Sequence, residues 1–121
     1  MILSEEEREY RRLQAREYRK KHPERMKEYS RKRGEKIRAK VFNAYGGFIC
    51  ACCKITHPDF LTLDHVENNG RSHRRELGYK SSYQIYLWAI RNNFPKGLQV
   101  LCWNCNMGKR KTGVCPHEQV V

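Results

Sequence analysis

A chain of 121 residues has room for one domain and an appendage. Its 25 Lys and Arg against 13 Asp and Glu give a net charge of +12, a balance that suits a polyanion, nucleic acid being the usual one. No run approaches the roughly 18 apolar residues of a membrane span, and the opening MILSEEEREYRR lacks a signal peptide's apolar core, so a cytoplasmic chain with no membrane partner is expected.

Residues 4–40 read as helix without an apolar stripe, and hold 15 Lys/Arg against 8 Asp/Glu. Ser4 and Glu7 have the spacing of a capping box, which predicts a helix start there. A weak repeat follows, EYRR at Glu9, EYRK at Glu17 and EYSR at Glu28, and His22-Pro23 interrupts it. Pro23 suits the first turn of a second helix, whereas Gly34 costs that helix about 1 kcal/mol relative to Ala. With too few apolar residues for a core, residues 1–40 form a basic helical arm, ordered along a phosphate backbone. A charged coiled-coil stub is the alternative.

The composition changes at VFNAYGG, so a compact domain is expected over residues 41–121. LTLDHVENNG (61–70) begins as an apolar alternation fit for a strand and ends in a polar turn. SSYQIYLWAIRNN predicts a helix capped by Ser81 or Ser82, with Tyr83, Tyr86, Leu87 and Ile90 on its core face. FPKG ends it, and LQVL makes a short strand leading into Cys102.

Six cysteines in a reducing compartment point to metal rather than disulfides. Cys50–Cys53 and Cys102–Cys105 are two C-x-x-C knuckles, which together complete a tetrahedral four-cysteine Zn²⁺ site with a structural role. Cys52 can replace Cys53 in CACC, although C-x-x-C is the commoner spacing. Cys115 and His117 are read as tail packing, since two ligands do not make a site.

An ion joining the two knuckles brings Asp64–His65 toward Asn106, the residue after the last knuckle cysteine. This order, C-x-x-C, Asp-His at a strand end, then C-x-x-C followed at once by Asn, resembles the HNH nuclease superfamily over about residues 45–113. The Asn ending is similar to the recombination endonuclease VII branch, and the layout with its basic arm to small phage-encoded members. The resemblance implies an α+β fold: a ββα-metal core stapled by the zinc site. It also implies a DNA endonuclease acting on double-stranded or branched DNA, leaving 5′-phosphate and 3′-hydroxyl ends. His65 is then the general base, suited by an ordinary pKa near ~6.5. Asp64 and the Asn106 amide oxygen are hard ligands for a catalytic Mg²⁺ or Mn²⁺. A homodimer fits a site that cuts one strand.

Neighbours in a regular strand point to opposite faces, so the strand must end or bend at Asp64–His65, and ENNG is the turn that allows it. Where many family members carry the Asn that braces the catalytic loop, this chain has Gly97. Asn68, Asn69 or the insertion at 70–96 then supplies the brace. The basic cluster Arg71, His73, Arg74 and Arg75 and the helical Lys109, Arg110 and Lys111 are expected to contact phosphates, with His73 a possible second histidine at the site. Two non-catalytic readings stand beside the nuclease: a four-cysteine zinc DNA-binding protein and a phage packaging accessory.

Overall fold

A computed structural model describes residues 2–119. The fold is α+β, mostly helical with one two-stranded antiparallel sheet. Two compact units meet at Glu35 and Lys36.

In the first unit, α1 (Glu5–Lys21) starts at a reciprocal capping box. The Glu7 N–H donates to Ser4 Oγ at 3.2 Å, and the Ser4 N–H donates to a Glu7 carboxylate oxygen at 3.1 Å. Every residue of α1 is exposed, so its stability comes from this cap, from Glu5–Glu7 at its positive end and from Arg19–Lys21 at its negative end. Pro23 then opens α2 (Pro23–Ala44), where its missing N–H costs nothing.

The second unit takes in the end of α2 and everything after it. Val41 and Phe42 are wholly buried on the last turns of α2. Phe42 stacks on Phe48 with centroids 5.1 Å apart and meets the Tyr86 ring edge-on at 5.8 Å. β1 (Leu61–His65) pairs antiparallel with β2 (Leu98–Cys102), with Leu61 opposite Cys102 and Asp64 opposite Gln99. Leu61, Val100 and Leu101 enter the core together with Ile85 and Ala89.

Helices α3 to α6 complete this unit. α3 (Gly70–Leu77) ends at Gly78, whose φ of 69° is the left-handed conformation that glycine adopts without strain. Sequence gave no sign of it, because its residues are charged and its first position is glycine. α4 (Ser82–Arg91) starts at the expected cap, Ser81. Its core face, however, is centred on Ile85 and Ala89, with Tyr86, Trp88 and Ile90 partly buried, while Tyr83 is exposed. The expected stripe through Tyr83 and Leu87 is thus rotated toward Ile85 and Ala89. α5 (Trp103–Thr112) leaves β2 directly, and a short turn of helix, α6 (Pro116–Gln119), follows. No helix among the described residues is long and apolar enough to cross a membrane.

Ser81 caps α4 reciprocally with Gln84, its Oγ accepting the Gln84 N–H and its own N–H donating to Oε1 at 3.1 Å. Ser81→Ala is expected to cost about 1 kcal/mol, a fall of roughly 4–8 °C in Tm for a unit of this size, measured by calorimetry.

Candidate functional site

The knuckles form as the spacing predicts. The Cys53 N–H points at Cys50 Sγ and the Cys105 N–H at Cys102 Sγ, both at 3.5 Å. Lys54 turns the first knuckle with a φ of 68°, and the Ala51 N–H donates to the Val100 carbonyl at 2.8 Å, seating the loop on β2. Cys50, Cys53, Cys102 and Cys105 place their sulfurs within 4.8 Å of one another. The Cys53–Cys102 sulfur separation is 3.7 Å, against an edge of about 3.8 Å for a tetrahedron with Zn–S near 2.3 Å. These four thiols can hold a metal ion.

Their electrostatics suit a cation. Burial would raise the Cys50 thiol, but the backbone N–H groups of Cys102, Cys53 and Cys52 outweigh it and draw it down to about 6. Burial and then the crowding of Cys102, Cys115, Cys50 and Cys53 push Cys105 far up. Thiolates this close repel, and a shared cation removes the repulsion. Cys52 is not one of these four, although its sulfur lies within 4.8 Å of the Cys105 sulfur. It lies with Cys105, Cys115 and His117 in a second group, so Cys115 and His117, expected as tail packing, are two of four side chains that could hold a metal ion.

A cleft of about 980 Å³ opens at the end of β1, lined by Asp64, His65 and Asn106 together with Arg71, Arg74 and Arg110. β1 stops at His65, and Val66 begins the turn, its N–H held by the Gly97 carbonyl at 2.9 Å. The two neighbours still point apart, as strand geometry requires. Asp64 reaches toward α5, whereas His65 reaches α3; the cleft wraps around the strand end and so includes both.

Asn106 is held in one orientation. The Thr62 hydroxyl donates its only proton to the Leu101 carbonyl at 2.8 Å, so toward Asn106 its oxygen can only accept. The Asn106 amide nitrogen donates to it at 2.9 Å, which turns the amide oxygen away from Thr62. Asp64, 8% exposed, accepts from Gln99 at 3.0 Å and from the Lys109 ammonium at 2.6 Å, both on Oδ2. Its other oxygen, Oδ1, is left for a further partner.

His65 is half-buried, and its Nε2 lies 2.9 Å from His73 Nδ1. Burial, then the neighbouring His73, lowers its pKa below the usual value, so the imidazole is neutral at pH 7. A β-carbon on residue 70 would sit 3.0 Å from His65 Nδ1. Glycine at that position keeps the approach to this nitrogen open.

Two expectations on basic residues change. Lys109 is 6% exposed, and its ammonium donates to Asp64, to the His65 carbonyl at 2.8 Å and to the Val66 carbonyl at 2.9 Å. With all three donors used inside the fold, it is not a phosphate contact but the brace of the loop after His65. Asn68 assists, its amide nitrogen donating to the Gly113 carbonyl at 3.2 Å, while Asn69 is the N-terminal boundary of α3. His73 packs between His65 and the edge of Trp88, ring centroids 4.3 Å apart. Arg75 and Lys111 are exposed and lie outside the lining of the cleft. Comparison with protein-family models, curated proteins and solved structures finds no significant match.

Proposed function

We propose that the protein is a metal-dependent DNA endonuclease of the HNH type, its β1, β2 and α5 forming a ββα core stapled by Zn²⁺ on Cys50, Cys53, Cys102 and Cys105. The observation that carries this reading is that His65, Asp64 and Asn106, from two elements, line one cleft with three arginines.

The side chains suit phosphodiester hydrolysis. In the tautomer that makes His65 a base, Nε2–H donates to His73 Nδ1, 2.9 Å away, and Nδ1 carries the lone pair beside Gly70. That nitrogen takes the proton of the attacking water. His73 fixes the tautomer and the ring plane, a positioning role that ring packing on Trp88 supports. Asp64 Oδ1 and the amide oxygen of Asn106 are the oxygens available to Mg²⁺ or Mn²⁺, which keeps waters and binds through one or two protein ligands plus the phosphate. Held there, such an ion would supply Lewis-acid chemistry to the phosphate and to the departing O3′. Arg71, Arg74 and Arg110 line the cleft as phosphate clamps, and the basic first unit binds phosphates as well.

The buried ion pair between Asp64 and Lys109 favours one second reading, a non-catalytic DNA-binding protein in which the acid serves the fold. Supercoiled plasmid incubated with the protein and Mg²⁺ or Mn²⁺ separates the two. Nicking that His65→Ala loses supports the nuclease; binding with no nicking by the wild type overturns it.

Arg74→Ala is expected to weaken DNA binding about equally across sequences and to lower the slope of log K against log salt by about 1. A salt series in fluorescence anisotropy checks it.

A further inference from the structure

We propose that the chain holds a second metal ion, of the zinc class, on Cys52, Cys105, Cys115 and His117, so that the Cys105 thiolate bridges two ions in one cluster. The inference rests on the ligand geometry and on the four-cysteine zinc site proposed above, and is independent of any nuclease activity.

Three segments bring these ligands together: the knuckle loop, α5 and the turn of α6. Their four ligand atoms lie within 4.8 Å of one another. His117 Nδ1 is 3.2 Å from Cys115 Sγ, 3.4 Å from Cys105 Sγ and 3.6 Å from Cys52 Sγ. A tetrahedral ion with Zn–N near 2.0 Å and Zn–S near 2.3 Å requires N···S edges of about 3.5 Å. Hydrogen bonding does not account for this arrangement. A ring nitrogen has one in-plane position, either a proton or a lone pair, and satisfies one partner. Three sulfurs at nearly equal range around one such nitrogen are what a shared central cation produces.

Gly108 gives a second, independent observation. A β-carbon there would lie 2.5 Å from Pro116 Cδ and 3.0 Å from its Cγ, so α5 accepts the Cys115–Pro116–His117 turn only because residue 108 is glycine. Mid-helix glycine costs about 1 kcal/mol relative to Ala, and here it permits the close approach that delivers two ligands. The Glu118 N–H donating to the Cys115 carbonyl at 2.9 Å closes the turn.

The second ion adds no net charge to the first site. A second divalent cation shares Cys105 and adds the Cys52 and Cys115 thiolates, whose two charges offset its own. All six free cysteines are thereby ligands. Thiolate and imidazole donors select zinc over hard cations such as Mg²⁺.

Metal analysis of the purified protein tests the proposal. Two zinc ions per chain are expected for the wild type, and one for Cys115→Ser, for His117→Ala and for Gly108→Ala. One ion in the wild type, or two in both His117→Ala and Cys115→Ser, overturns it. A measurement on the unmutated chain removes any dependence on how the variants fold. After exchange into ¹¹³Cd²⁺, two NMR signals are expected, one from four sulfurs and one from three sulfurs and a nitrogen, coupled through Cys105. A single signal overturns the bridged cluster.

Discussion

His65→Ala is expected to lower plasmid nicking by ~10²–10⁴-fold, the range for removing a positioned general base, with zinc content unchanged. The side chain is only half-buried and, among the described residues, hydrogen-bonds His73 alone, so the fold loses little with it. The knuckle sulfurs do not depend on it, which is why the metal content serves as the control. His73→Asn is expected to fall between the two. It leaves the base in place but removes the aromatic contact with Trp88 that holds its partner's plane. Equal nicking by the wild type and His65→Ala would place the chemistry, if any, elsewhere.

What was legible in the sequence is what local chemistry decides. The Ser4–Glu7 box, Pro23 at a first turn, Ser81 as a cap and the knuckle spacing each act within a few residues, and each stands where it was expected. The end of β1 at His65 belongs with them, since ENNG supplies the turn. Tertiary context decided the rest. α3 has no apolar period; it is set by Gly78 at one end and by His73 packing on His65 and Trp88. Cys115 and His117 lack the spacing of a complete site because Cys52 and Cys105, from distant segments, finish it. One signal was present without a reading: glycine at 108, inside a helix, marked a close approach.

Lys109 shows the same division most sharply, because as one of three consecutive basic residues it looked like Arg110 and Lys111. Position on the helix separates them: Asn106 and Lys109 are three residues apart and share the face turned to β1, where they meet Thr62 and Asp64. Lys109→Met is expected to destabilise the second unit by about 3–5 kcal/mol, the cost of leaving a buried charge without its partner. Two loop carbonyls also lose their donor. Arg110→Ala and Lys111→Ala, at exposed positions, are expected to stay within about 0.5 kcal/mol of the wild type. Denaturant unfolding measures all three, and a Lys109→Met chain as stable as the wild type would show that the brace does not form in solution. Asp64→Asn sharpens the result. In the Lys109→Met background it removes the stranded charge, so it should cost less there than in the wild type. Equal costs would mean that Asp64 and Lys109 do not act as a pair, and that the ammonium holds the His65 loop through the carbonyls alone.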